Sequence, residues 1–453
     1  MGKIDIDDLG RASAGTLAKA LAARKISAAE ACEAAIGRVE RLDGAINAVV
    51  VRDFERARKS AAAADAALAR GERAPLLGVP MTVKEAHNVA GLPTTWGIKE
   101  AKDFVPARDS VAVARLKGAG AVILGKTNVP PHLGDWQSVN PIYGRTNHPL
   151  DPARTPGGSS GGSAAALAAG MVPLEFGSDI GGSIRVPAAF CGVFGHKPTH
   201  GVIPQRGHTP PGVDGVDVPL GVIGPMARTA ADLDLALGVL AGPDDDDAAG
   251  YRLALPRPRH ERLADYRVLV IAEHPIARVQ GEISTAIEAL AGKLERKGAR
   301  VARSSNLVPD LEASQGVYRT ILDAVISRGN PAMGAPIDAH AWMRALDAQL
   351  AIRRQWARLF EDFDVVIAPA FGVVAFPHDD APFQERKHVI DGVETPYGSQ
   401  VAWPGMASLA NLPATAAPIA KTRAGLPIGV QIIGPHLADR TTIAFAGLIE
   451  REL

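Results

Sequence analysis

The chain has 453 residues, enough for one large α/β domain or for two or three average ones. Hydrophobic residues make up 47% and charged residues 22%, an ordinary globular composition that can bury a large core. Lysine plus arginine equals aspartate plus glutamate, 49 against 49, so no basic surplus calls for nucleic acid or an anionic membrane as partner. The polar start, Met1-Gly-Lys-Ile-Asp-Ile-Asp-Asp8, lacks the apolar core of a signal peptide. No run of about 18 apolar residues offers a spanning helix. Two cysteines, Cys32 and Cys191, cannot build a disulfide framework and suit a reducing cytoplasm; one long-loop bridge between them is the alternative.

Residues 12–70 read as helical, with a β-like interruption at Ile46–Val51. Ser27-Ala-Ala-Glu30 is a capping box that should start a helix running to about Arg41. The Ala-rich stretch 53–70 makes a second helix, stopped by Gly71. After Leu76 short apolar runs alternate with helical patterns. The runs are Val79–Val83, Ala121–Leu124, Val172–Phe176, Val268–Ile271 and Val365–Ala368. Helical stretches fall at about 110–118, 160–170, 230–241, 281–297, 309–327, 340–361 and 437–452, and Thr229-Ala-Ala-Asp232 resembles a capping box. This alternation predicts an α/β fold with a largely parallel or mixed sheet. Two glycine- and proline-rich loops, 198–224 and 369–399, are candidates for lids or substrate walls, and equally for plain surface connections. The run Asp244–Asp247 reads as a solvated turn.

Three segments carry chemistry. Gly157-Gly-Ser-Ser-Gly-Gly-Ser163 has little side-chain bulk and leads into an Ala-rich helix, so amides and hydroxyls gather at a helix N-terminus. It lacks the Gly-Lys-Ser/Thr of a phosphate loop and the G-x-G-x-x-G spacing of a dinucleotide site. Gly177-Ser-Asp-Ile-Gly-Gly-Ser183 follows an expected strand. It sets a serine where several amides can face one developing anion, as acyl transfer needs. In Leu77-Gly-Val-Pro-Met-Thr-Val-Lys84 the lysine ends an apolar run, where desolvation would lower its pKa and make it a base. A lone lysine so placed is more often salt-bridged or snorkelling.

Taken together, these segments closely resemble the amidase signature family. Lys84 stands 75 residues before Ser159, and Ser159 stands 24 before Ser183, separations typical of that family. Arg154-Thr-Pro-Gly-Gly-Ser-Ser-Gly-Gly-Ser-Ala-Ala-Ala166 matches its signature nearly letter for letter. Leu124–Asn128, Gly144–Asn147, Phe190–Gly192, Gly195–Pro198 and Gly224–Arg228 agree with it as well. The strong match spans about 76–228; Asp364–Pro369 and Gly429–Gly434 are looser anchors beyond it.

The resemblance implies one domain over 1–453, a twisted mixed sheet of many strands wrapped in helices. Its parts are a helical 1–75, a signature core 76–228 and a C-terminal 229–453. It implies Lys84 as base, Ser159 as proton relay after a cis Gly158–Ser159 bond, and Ser183 as nucleophile. Amides of Ile180, Gly181, Gly182 and Ser183 would form the oxyanion hole, supported by Ser160, Asp179 and Arg185. Trp136, Gln137 and Tyr143 are candidate pocket residues, with scaffold packing an equal reading. No metal or organic cofactor is implied. The expected substrate is a small-molecule amide or carbamate, and a homodimer fits the family; the few charged residues of the two candidate lid loops, relative to their glycine and proline content, tilt the substrate toward uncharged, hydrophobic or aryl compounds. The alternative is a glutaminase subunit of a tRNA-dependent amidotransferase. Two rivals rest on residues near the signature: a metal site at His196, His200 and His208, and a Cys191–His196 nucleophile pair. The His-Lys-Pro-Thr-His context lacks the H-E-x-x-H pattern, and Cys191 reads as a small buried residue.

Overall fold

Ser27 and Glu30 form the reciprocal capping box that their spacing predicts: Ser27 Oγ accepts from the Glu30 amide and Glu30 returns to the Ser27 amide. The helix they start runs past Arg41 to Ile46 and ends at Asn47, whose left-handed backbone (φ 58°) closes it. A helix Phe54–Ala69 follows, as the Ala-rich pattern requires. The Thr229 cap differs from a capping box. Thr229 accepts from the Asp232 amide, but the Asp232 carboxylate reaches the amides of Ala14 and Gly15 instead. One acidic side chain thereby caps a distant helix, Ala14–Ala22.

The computed structural model describes residues 10–328 and 336–453, so the polar start at Met1–Asp8 lies outside the described residues. Among those described, the strands are β1 (Val49–Arg52), β2 (Pro80–Lys84), β3 (Val122–Thr127), β4 (Val139–Asn140), β5 (Gly144–Arg145), β6 (Leu174–Asp179), β7 (Phe194–Lys197), β8 (Val222–Ala227), β9 (Arg267–Val270), β10 (Arg300–Ala302), β11 (Val365–Pro369), β12 (Lys387–Ile390), β13 (Val393–Pro396), β14 (Ala414–Lys421) and β15 (Pro427–Ile433). An eight-stranded sheet has the order β10-β9-β11-β15-β14-β7-β8-β6. Its β10, β9 and β11 are parallel, and every later pairing is antiparallel, so the sheet is mixed. It takes strands from both 76–228 and 229–453. A three-stranded sheet, β1-β3-β2, is not paired into it by a ladder, although β2 lies beside β6.

Burial on both faces explains the continuous apolar runs. Along β11, Val365 and Ile367 enter one core while Val366 and Ala368 enter the other. The two cores lie on opposite faces of the sheet, covered by the helices. No helix among the described residues is long and apolar enough to cross a membrane. Cys32 and Cys191 are both free and buried.

For the site, one placement matters most. β2 ends at Lys84 and edge strand β6 ends at Ser178-Asp179, and Lys84 Nζ bonds Ser178 Oγ across the gap at 2.9 Å.

Candidate active site

Lys84 is fully buried, and its ammonium group has few partners. Nζ donates to Ser159 Oγ at 2.6 Å, to Ser178 Oγ at 2.9 Å and to the Ser178 carbonyl at 3.5 Å. Burial pulls its pKa down to about 7, although the Asp179 and Glu175 carboxylates oppose the fall. Glu175 is itself buried and pushed up to about 7 by desolvation, so it offers Lys84 less than a full counter-charge near neutrality.

Ser159 lies at the turn into the helix Gly161–Ala168, after a cis Gly158–Ser159 bond. Gly158 is needed for contact reasons: a Cβ there would stand 2.4 Å from the Asp135 carbonyl. Ser160 ties the two serine loops together. Its amide donates to the Ser183 carbonyl at 3.1 Å, and its hydroxyl bonds the Ser178 carbonyl at 3.3 Å.

Ser183 sits in a turn between β6 and the helix Arg185–Cys191. Gly182 takes φ +95°, a left-handed value that suits glycine. Asp179 organises this turn: its carboxylate accepts from the amides of Gly182, Ile184 and Arg185 at 2.9, 3.0 and 3.2 Å. Arg185 closes on it at 2.8 Å, both side chains fully buried, and also holds Gln431, Ser408 and the Pro404 carbonyl. Burial alone would raise the Asp179 carboxyl, but Arg185 outweighs it and holds it near about 2.

The expected set of oxyanion donors needs one correction. The Gly182 amide is already spent on Asp179, so it is not free to meet a substrate oxygen. Among the described residues the amides of Ile180, Gly181 and Ser183 have no acceptor. No hydrogen bond joins Ser159 to Ser183 either, although both hydroxyl residues line one chamber.

That chamber has a volume of about 740 Å³. Its wall is largely apolar, with Trp96, Leu133, Val213, Val222, Val325 and Ile326 among the lining residues. Of the charged lining residues, Glu100 and Arg328 are exposed, whereas Asp179 is buried and paired with Arg185. Loop 198–224 supplies wall residues, including Gln205, His208 and Val218, whereas loop 369–399 supplies none. The latter carries the β12–β13 hairpin instead.

The three candidate pocket residues lie elsewhere. Trp136 packs behind the Ser183 turn against Phe371, Phe383 and Tyr397. Gln137 spends both ends of its amide on the Asp379 backbone. Tyr143 donates to Glu85, which in turn holds the amides of Thr95 and Trp96. Lying between Lys84 and Ser159 in sequence does not tell which side of a loop a side chain takes.

The clustered histidines separate as well. His196 bonds Thr415 and Asp439, His200 reaches the Val218 carbonyl, and His208 packs at a tilt against Trp96 and His87. Cys191 bonds the Pro156 carbonyl, and burial pushes its thiol pKa up, so it is no thiolate partner for His196. Asp244 and Asp245 pair with Arg206 at the surface. Sequence reading missed Ser178, Glu175 and Tyr318, whose hydroxyl donates to the Ile180 carbonyl at 2.8 Å. Ser178 stood inside the quoted Gly177–Ser183 segment; nothing local singles out Tyr318.

The Amidase family matches residues 30–318 and 310–443. The A-type subunit of a glutamyl-tRNA(Gln) amidotransferase from Roseiflexus sp. (strain RS-1) is 33% identical over 478 residues, covering 96% of this chain and 94% of its own. An inhibitor-bound structure of a vestigial protein complex, described as revealing the origins of an s-triazine catabolic enzyme, superposes with a TM-score of 0.84. It is 31% identical and covers 97% of this chain and 98% of that one. A bacterial aryl acylamidase of the amidase signature enzymes gives a TM-score of 0.80 at 26% identity, covering 97% of this chain and 96% of its own.

Proposed function

Since the chain belongs to the amidase signature family and is an amide hydrolase, we propose that it cleaves uncharged, hydrophobic acyl or aryl amides, or the related carbamates, through an acyl-enzyme on Ser183. The observation that carries this is the buried Lys84 amine, with a pKa of about 7 and Nζ 2.6 Å from the Oγ of Ser159, a residue that lines one chamber with Ser183.

Neutral Lys84 takes the Ser159 proton, and Ser159 takes the Ser183 proton as Ser183 Oγ bonds the substrate carbonyl carbon. The relay needs the Ser159 and Ser183 hydroxyls to meet, and catalytic hydrogen bonds of a free enzyme often tighten only when substrate binds. The oxygen that becomes negative faces the free amides of Ile180, Gly181 and Ser183. The proton on Lys84 returns through Ser159 to the leaving nitrogen as the C–N bond breaks. Water then attacks the acyl carbon, the C–O bond to Ser183 breaks, and the serine regains its proton. The apolar chamber supports an acyl or aryl group over a charged one.

A second reading is favoured by the 33% identity to the A-type amidotransferase subunit: the chain serves as a glutaminase with partner subunits. Two measurements separate them. One is 4-nitroaniline release from matched compounds, an acyl anilide and an O-alkyl carbamate of 4-nitroaniline, with Ser183→Ala as blank. The other is glutamate formation from free glutamine. Release that Ser183→Ala loses supports the first reading, and the ratio ranks amide against carbamate. Glutamate formation without release sinks the first reading and favours the second.

A further inference from the structure

The turn Ile180-Gly181-Gly182-Ser183 is gripped from outside by two side chains that the reaction itself does not use. Tyr318, on the helix Leu311–Ser327, donates its hydroxyl to the Ile180 carbonyl at 2.8 Å. Trp136 donates Nε1–H to the Gly181 carbonyl at 2.9 Å. Both are buried. Tyr318 titrates well above its ordinary range because it is desolvated, so it stays a donor throughout the working pH range.

A planar trans peptide points its C=O and its N–H in opposite directions. The Ile180 carbonyl and the Gly181 N–H belong to one such plane. Tyr318 draws the carbonyl one way, so the Gly181 N–H, which has no acceptor among the described residues, must face the other. The next plane joins the Gly181 carbonyl to the Gly182 N–H, and it is clamped at both ends, by Trp136 and by Asp179. With two glycines in succession, nothing in the backbone itself prevents these planes from turning over. The side chains supply that restraint. Trp136 is itself wedged by rings of Phe371 and Tyr397, centroids 4.8 and 5.2 Å away, and Tyr397 is fixed by a 2.7 Å bond to Asp135.

We propose that Tyr318 and Trp136 are positioning residues that set the oxyanion-stabilising amides. The proposal rests on the Ser183 acyl-transfer reading above. Substrate binding in the chamber does not depend on either hydrogen bond, whereas charge on the attacked oxygen does.

The test uses Tyr318→Phe and Trp136→Phe in the full chain, which remove one donor each and keep a ring in place. Active sites are counted by covalent serine labelling, so rates refer to competent protein even if some of a variant misfolds. The expected result is a kcat per labelled site lowered about 10- to 100-fold, less than the roughly 100- to 1,000-fold for deleting an oxyanion donor outright. KM should stay within about twofold. Affinity for a trifluoromethyl ketone, which forms a tetrahedral oxyanion on the serine, should fall by the same factor as kcat/KM. Affinity for the matching secondary alcohol, which has no carbonyl to become an oxyanion, should not. Full kcat per site in both variants would overturn the proposal, as would parallel losses of alcohol and ketone affinity. Turnover that survives Ser183→Ala would instead sink the acyl-transfer reading, a different result from either.

Discussion

Lys84 Nζ lies 2.6 Å from Ser159 Oγ, although 75 residues separate the two in the chain. The contact matters because the amine is wholly desolvated. An exposed lysine keeps its proton far above neutral pH, whereas burial brings Lys84 to about 7. Only the neutral amine can take a proton from Ser159. Activity should therefore rise with pH through about 7 and level off above it, as Lys84 loses its proton. A kcat/KM profile with a neutral, chamber-filling anilide checks this; a sharp optimum below pH 6 would exclude lysine as the base.

The two serines should separate by chemistry. Ser183→Ala should abolish both turnover and covalent labelling, because no other nucleophile remains in place. Ser159→Ala keeps the nucleophile but cuts it off from Lys84, and should lose about 100-fold or more in kcat. Lys84→Ala should be at least as damaging. Rates of 4-nitroaniline release per mole of folded protein decide it, and near-normal release by Ser159→Ala would refute the relay.

Much of the fold was legible because local signals and tertiary context agreed. The capping serine at Ser27 and the Ala-rich periodic stretches became helices within a few residues of expectation. Two of the strands that escaped notice carry breakers. β7 reads Phe-Gly-His-Lys, and β8 holds Pro225 opposite Phe176, yet both are buried inside the sheet. Neither was readable without knowing the neighbours that cover it. The site divides in the same way. Lys84, Ser159 and Ser183 stood out only together, through spacings and signature residues that resemble the amidase signature family; alone, each motif was ambiguous. The chamber did not, because its wall joins separate segments near Trp96, Leu133, Val213 and Val325 that only the fold brings together. The family resemblance implies Gly182 as a donor, and the sequence does not reveal that Asp179 has already claimed its amide.

The Asp179–Arg185 pair should matter to stability as well as to the turn. Both side chains are fully buried at 2.8 Å, so removing one leaves the other charge uncompensated. Asp179→Ala should destabilise the protein by about 3–5 kcal/mol, read from denaturant unfolding. The pH dependence has a definite sign. The folded carboxyl titrates near about 2, below its ordinary value. Its contribution is thus full above the unfolded value near 4 and is lost as pH falls toward 2. A variant as acid-stable and as denaturant-resistant as the parent would show that the pair adds nothing.

Acyl size should be set at the chamber wall formed by the end of the helix Leu311–Ser327. Val325 and Ile326 line the chamber, while Tyr318, two turns earlier on the same helix, reaches the Ser183 turn. Adding bulk at Val325 narrows the chamber without touching Lys84, Ser159 or Ser183. Val325→Trp should leave release from 4-nitroacetanilide within a few-fold of the parent, since an acetyl group needs little of the space. Release from a long-chain or aryl acyl anilide should drop about 10- to 200-fold in kcat/KM, the range over which a few carbons change binding in an apolar pocket. Equal losses on short and long acyl groups would place the acyl chain elsewhere and assign this side of the chamber to the leaving group.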